Sequence, residues 1–205
     1  MAALDTLARL ELALIPVGSV APAPSNAVRD AAVAVIFRVG ADDESLELLM
    51  IERASYAGDP WSGHVAFPGG RRESSDATLL DTALRETREE IGIDLTSHGR
   101  VLGALERVNP MSPSLPPLSI APFVALLTRD AELALSDEVA EAFWMPLAAL
   151  RHPEASSEVE VVVGSGRRSV RAFVHGRYTI WGLTERILRD LLSRLEGSPR
   201  ALDNG

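Results

Sequence analysis

Apolar positions along the chain follow two rhythms, and the switches between them mark out the elements. Residues 30–39 are β-branched and nearly continuously apolar, the pattern of a strand buried on both faces. A turn over 40–44 and the partial alternation of 46–53 predict a hairpin partner. Further strands are expected at 64–67, 101–108 and 119–127, the last with Pro122 placed at an edge or bulge. Phe143-Trp144-Met145 continues the strand pattern, and residues 158–163 and 169–174 flank Gly164-Ser165-Gly166 as a hairpin. Three- and four-residue spacing instead predicts helices over 3–14 and 180–195, with a short helical turn at 147–150. Residues 16–26, 54–63 and 109–117 are rich in Pro, Gly and small polar residues and read as irregular connections. Strands interleaved with helices and no internal repeat predict one α/β domain.

The most informative stretch begins at Gly69-Gly70 and ends at Ile93. A polar loop leads into a helix whose N-cap is expected at Ser75 or Asp76 and whose left-handed C-cap is expected at Gly92. Leu79, Leu80, Ala83, Leu84, Thr87 and Ile91 form the face to bury. Glu86, Glu89 and Glu90 stand three and four residues apart, so their carboxylates are neighbours on the last turn. Like charges there repel one another and oppose the negative end of the helix dipole, at a few tenths of a kcal/mol or more each. Surface pairing with Arg85 is the ordinary account of such a turn; a hard divalent cation is the functional one, because Mg2+ takes carboxylate oxygens and leaves positions for water and phosphate.

Composition narrows the chemistry. The 205 residues are 46% hydrophobic and 24% charged, enough for one core without staples. No cysteine is present, which excludes disulfides, thiolate nucleophiles and cysteine-based zinc sites. All 20 basic residues are arginine, so Schiff-base lysines and Walker-type phosphate loops are excluded and guanidinium is left to recognise phosphate. A net charge of −9 argues against a nucleic-acid partner. Met1 to Asp5 lacks a basic start or a long apolar run, so neither a secretory signal nor a membrane partner is expected, and the expected location is cytoplasmic. His64, His98, His152 and His175 lack ligand spacing, and no Gly-x-Ser-x-Gly elbow appears.

Residues 69–93 resemble the Nudix box, in which Arg85, Glu86, Glu89, Glu90, Gly92 and Ile93 match the second half. Thr87 stands where an aliphatic residue is usual. Asp76 replaces the isolated glutamate, and eight residues rather than seven separate it from Arg85, so Asp76 is left without a role. The resemblance implies a Nudix-type α/β/α sandwich with a mixed β-sheet. With the N-terminal helix and Pro/Ala-rich connector (1–28) and the flexible polar tail (197–205) read from the residues, it makes 29–196 a single Nudix hydrolase domain. It also implies Mg2+ or Mn2+ held by Glu86, Glu89 and Glu90, with Arg85 orienting a metal-bound glutamate. The general base is a member of that triad or Glu138, which is preferred over Glu141.

Within that family the chain is similar to the coenzyme A pyrophosphatase branch, through Leu49-Met50-Ile51-Glu52-Arg53-Ala54, Gly63 and Phe67-Pro68-Gly69-Gly70. Ala121-Pro122-Phe123-Val124, residues 137–141, Pro146-Leu147 and residues 180–184 extend the likeness over 30–195. Gly58 or Asp59 stands where the branch carries a second arginine, leaving Arg53, Arg71, Arg72 and Arg107 to compensate. The implied partner is a small-molecule nucleoside diphosphate derivative, bound through Arg53, Gly69, Gly70 and Arg71. Coenzyme A or an acyl derivative leads, ahead of ADP-ribose or a dinucleoside polyphosphate; a non-catalytic nucleotide-binding module is the other class. The resemblance also allows a homodimer.

Overall fold

A computed structural model describes residues 2–23, 28–42, 44–56, 61–110, 117–163 and 166–197, the side chains of Ala2 and Val163 aside. Gly58, Asp59, the Gly164-Ser165 tip and the tail beyond 197 therefore lie outside the described residues. The order is α1 (Ala2–Ala13), β1 (Arg29–Val39), β2 (Leu46–Arg53), β3 (Val65–Ala66), β4 (Gly69–Arg71), α2 (Leu79–Ile91) and α3 (Leu95–His98). It continues with β5 (Gly99–Ala104), β6 (Leu118–Leu127), β7 (Val139–Pro146), α4 (Leu147–Arg151), β8 (Ser156–Val163), β9 (Gly166–His175), β10 (Tyr178–Trp181) and α5 (Gly182–Leu195).

β1 is the spine. It runs parallel to β6 and antiparallel to β4 through Ala31–Val33 and to β2 through Phe37–Val39, which makes the seven-stranded sheet mixed, as expected. Its alternate residues feed two cores. Ala31, Val35 and Phe37 pack with Leu7 and Leu10 of α1 and Leu188 and Leu191 of α5. Ala32 packs with Leu79 and Ala83 of α2, and Ala34 and Ile36 pack with Ile91 at its end. Burial on both faces explains why the strand reads as an unbroken apolar run. A second, antiparallel sheet (β8–β9–β10) precedes α5.

Several expectations are corrected. Thr78, not Ser75 or Asp76, caps α2, and it does so in a capping box with Asp81. Gly69-Gly70 does not simply turn the chain but opens β4, paired to Val33 and Ala32. β5 ends at Ala104, beyond which Val108 makes an isolated bridge to Ile120. β6 is an inner strand; Pro122 is tolerated because it lies one residue past the last β5 pair, Ala104 with Phe123. The final helix begins at Gly182, because Tyr178–Trp181 pairs with β9 as β10. The helix start shifts by two residues for a simple reason: a β-strand and an amphipathic turn share the same apolar spacing over so short a run.

Candidate active site

Arg85 ties the site together. A guanidinium offers five N–H donors, and here each meets an oxygen. Nε and Nη2 grip Asp76 at 3.0 Å each, Nη2 also reaches the Arg71 carbonyl at 3.0 Å, and Nη1 divides between Glu86 at 3.0 Å and Glu89 at 2.8 Å. Asp76 is buried and also accepts from the Glu73 backbone N–H and the Thr82 hydroxyl. Its bonds to Arg85 above all hold its pKa down to about 2. Asp76, left without a role by the sequence, is thus the anchor that orients Arg85. The extra residue before Arg85 does not prevent this, because the contact runs through the loop and not along the helix.

Glu90 is 3% exposed and lies beneath β4. Its carboxylate accepts the Gly69 N–H at 2.8 Å and stands 3.6 Å from Arg53. Burial is the chief reason its pKa is pushed up to about 7; Glu86 and Glu138 add to the rise, while Gly69 and Arg53 oppose it. Burial also raises the pKa of Glu86, against Arg85 and with help from Glu89 and Glu138. Gly70 is the reason Glu86 fits: a Cβ there would lie 2.4 Å from its carboxylate oxygen. Gly69, at φ +152°, would bring a Cβ within 2.3 Å of the Ala32 carbonyl.

Glu138 is held from two directions. Ala54 N–H donates to its carbonyl at 2.9 Å, and the Tyr56 hydroxyl to the Asp137 carbonyl at 2.7 Å. On the other side, the N–H groups of Ala134 and Ser136 close the last carbonyls of α2, at Ile91 and Glu90. Gly92 makes that contact feasible; its φ of +77° is the expected left-handed cap, and a Cβ would also press on Ala134 at 2.8 Å. Tyr56 and Ser136 carried no signal in the sequence, since each acts through a backbone partner remote along the chain. Glu141, by contrast, is paired with Arg177.

Glu86, Glu90 and Glu138 form one electrostatic group whose mutual repulsion a cation would relieve. Among the described residues, no three carboxylate or imidazole side chains are already drawn onto one point as a chelate. The donor set nevertheless suits a hard divalent ion, being all carboxylate oxygen with Glu86 and Glu90 one helical turn apart. Glu89 is 55% exposed at its side chain and turned to Arg85. Of the four arginines considered for substrate, Arg53 faces Glu90, Arg72 donates to the Asp76 and Ala77 carbonyls, and Arg107 binds Asp30 and Ser119. Arg71 is exposed on β4.

The NUDIX domain sequence model matches residues 28–162. An uncharacterized Nudix hydrolase of Shigella flexneri, NudL, is 32% identical over 139 residues, covering 67% of this chain and 70% of that protein. An uncharacterized Schizosaccharomyces pombe protein is 42% identical over 118 residues, covering 56% of this chain but only 36% of its own length. Among solved structures, the MutT/nudix family protein from Enterococcus faecalis superposes with a TM-score of 0.59 at 18% identity, over 88% of this chain and 66% of that one.

Two substitutions separate placement of the carboxylates from the fold. Gly70→Ala displaces only the end of a flexible glutamate, so it should fold normally yet lower turnover, by up to about a hundredfold. Gly69→Ala drives a Cβ into the β1 backbone and should cost about 1–3 kcal/mol in a denaturant melt.

The two shifted acids also predict opposite pH dependences in chelator-treated protein. Glu90, raised from 4.5, keeps a proton in the folded state between about pH 4.5 and 7 that the unfolded chain has released. Its contribution is whole below 4.5 and is lost as the pH rises through 7, amounting to at most about 3 kcal/mol. Asp76, lowered from 3.8, stabilises above that value and loses its contribution as the pH falls through about 2. The melting temperature should therefore decline from pH 5 to pH 8, and Glu90→Gln should flatten that decline.

Proposed function

The chain belongs to the Nudix hydrolase family, and we propose that it is a divalent-metal-dependent pyrophosphohydrolase of a nucleoside diphosphate derivative, with coenzyme A or an acyl-coenzyme A as substrate. The observation that carries the reading is the group Glu86, Glu90 and Glu138, whose charges lie close enough to raise the pKa of both Glu86 and Glu90, with Glu86 held by Arg85 and Glu90 by the Gly69 N–H. The coenzyme A assignment is supported by the resemblance running from Leu49 through Gly70 and on to residues 180–184.

Glu86 and Glu90 would hold Mg2+ or Mn2+, with Glu89 a further ligand or a contact through water. When bound, the cation supplies charge neutralisation to the diphosphate and makes a nearby water more acidic. The chain's own residues do the rest. Arg85 fixes the orientation of Glu86, and Asp76 fixes Arg85. Glu138 is our choice of general base, because it belongs to the electrostatic group and, among the described residues, Arg85 and the Gly69 N–H engage the other carboxylates instead. It takes a proton from water as that oxygen attacks phosphorus and the P–O bond to the leaving phosphate breaks. Coenzyme A would yield 3′,5′-ADP and 4′-phosphopantetheine.

Glu90→Gln should reduce kcat by roughly a hundredfold or more, while its melting temperature at pH 8 without metal equals or exceeds the wild-type value. Unchanged turnover in that variant would overturn the assignment of Glu90. Product analysis with coenzyme A, ADP-ribose and dinucleoside polyphosphates, each with Mg2+ and with Mn2+, tests the substrate. Preferential cleavage of either of the latter two would replace the coenzyme A reading, and ligand-induced stabilisation without turnover of any would indicate a binding module.

A further inference from the structure

A cavity of about 590 Å³ opens beside β4, lined by Arg29, Asp30, Arg71, Arg72, Glu73 and Ser74. That volume falls within the roughly 300–1,000 Å³ of small-molecule sites. Its charges are not all available. Asp30 is held by Arg107 and the Ala23 N–H, and Arg72 is committed to two loop carbonyls. Among the described residues, the side chains of Arg29 and Arg71 meet neither a carboxylate nor a carbonyl, which leaves Glu73 to oppose them.

Strand geometry explains why these two arginines share the cavity. Arg71 pairs with Ala31 across β1 and β4, and Arg29 precedes Ala31 by two residues, so the two are diagonal neighbours on one face. The same alternation turns Gly70 the other way, against Glu86. One residue step along β4 therefore separates the wall of the carboxylate site from the wall of the cavity. Among the described residues β4 pairs only with β1, so no described strand covers its other edge, which leaves a route for a long ligand between the two walls. The Arg71 carbonyl, bonded to Arg85 at 3.0 Å, fixes the distance between the two walls.

We propose that this cavity is an anion subsite for a second phosphate of the substrate, a phosphomonoester such as the 3′-phosphate of an adenosine 3′,5′-bisphosphate unit, clamped by Arg29 and Arg71. Two planar guanidiniums on neighbouring strands match a phosphomonoester's charge and its several acceptor oxygens. The subsite supplies from β1 the cation that position 58 or 59 lacks. This inference rests on the coenzyme A reading, since it assigns a place to the phosphate that distinguishes that substrate class from ADP-ribose.

Calorimetric titration of the intact 205-residue chain with 3′,5′-ADP, 5′-AMP and inorganic phosphate tests it. The wild type should bind 3′,5′-ADP about tenfold more tightly than 5′-AMP. Joint replacement Arg29→Gln and Arg71→Gln should bring that ratio near one, and Glu73→Gln should widen it. Both arginines are on exposed positions, and Arg71 supports Arg85 through its backbone, so melting curves should show the double variant folded. Inorganic phosphate should compete with 3′,5′-ADP more strongly than with 5′-AMP. A wild type without preference, a preference that survives the double variant, or equal competition by phosphate would overturn the subsite. Coenzyme A cleavage together with an unaltered ratio in the double variant would sink the subsite and leave the proposed function standing. A collapsed ratio in a protein that does not cleave coenzyme A would do the reverse.

Discussion

Five donors on one guanidinium organise the working part of this molecule. Arg85 reaches back to Asp76 in the preceding loop, sideways to the β4 carbonyl of Arg71, and along its own helix to Glu86 and Glu89. Lysine could not replace it, since a single ammonium cannot address five oxygens in one plane. Three separate segments are thereby locked in register at the point where negative charge is concentrated. The arrangement also separates two acids by environment: Asp76 is satisfied and stays ionised, whereas Glu90 is buried with too few compensating contacts and holds its proton to near neutrality.

The rest of the fold serves that register. β1 is buried on both faces and pairs with three strands, so the β4 segment carrying Gly69 and Gly70 is aligned against a rigid neighbour. The glycines are required by distance as much as by dihedral angle: one lets the β1 backbone approach and the other makes room for a carboxylate. The Thr78–Asp81 capping box and Gly92 then define where α2 starts and stops, which sets which glutamates fall on its final turn.

Much of this was legible in the sequence because it is local. The helix carrying the glutamates, its left-handed Gly92 cap, the doubly buried β1 and the hairpin with β2 all follow from spacing along contiguous residues. The N-cap position is not legible in the same way, because Ser75, Asp76 and Thr78 all suit a cap and only the reciprocal bond with Asp81 decides between them. Asp76 gives no local signal for a related reason: its value lies in a contact to Arg85 that runs through the loop and not along the chain. β4 and β10 leave little trace in the sequence because three or four residues carry too little periodicity, and their pairing partners are remote or lie across a turn. Tyr56 and Ser136 act on backbone groups, which leave no side-chain pattern to read.

The segment 131–138 is seated on the tail end of α2 by the amides of Ala134 and Ser136 and reaches its far anchor at Ala54 and Tyr56. It behaves as a strut of fixed length between the helix and β2. Inserting or deleting a residue between Ser136 and Glu138 would force one anchor to release or put a different residue at the Ala54 contact. Length in this segment is therefore under tighter physical constraint than side-chain identity, the opposite of what its irregular backbone suggests.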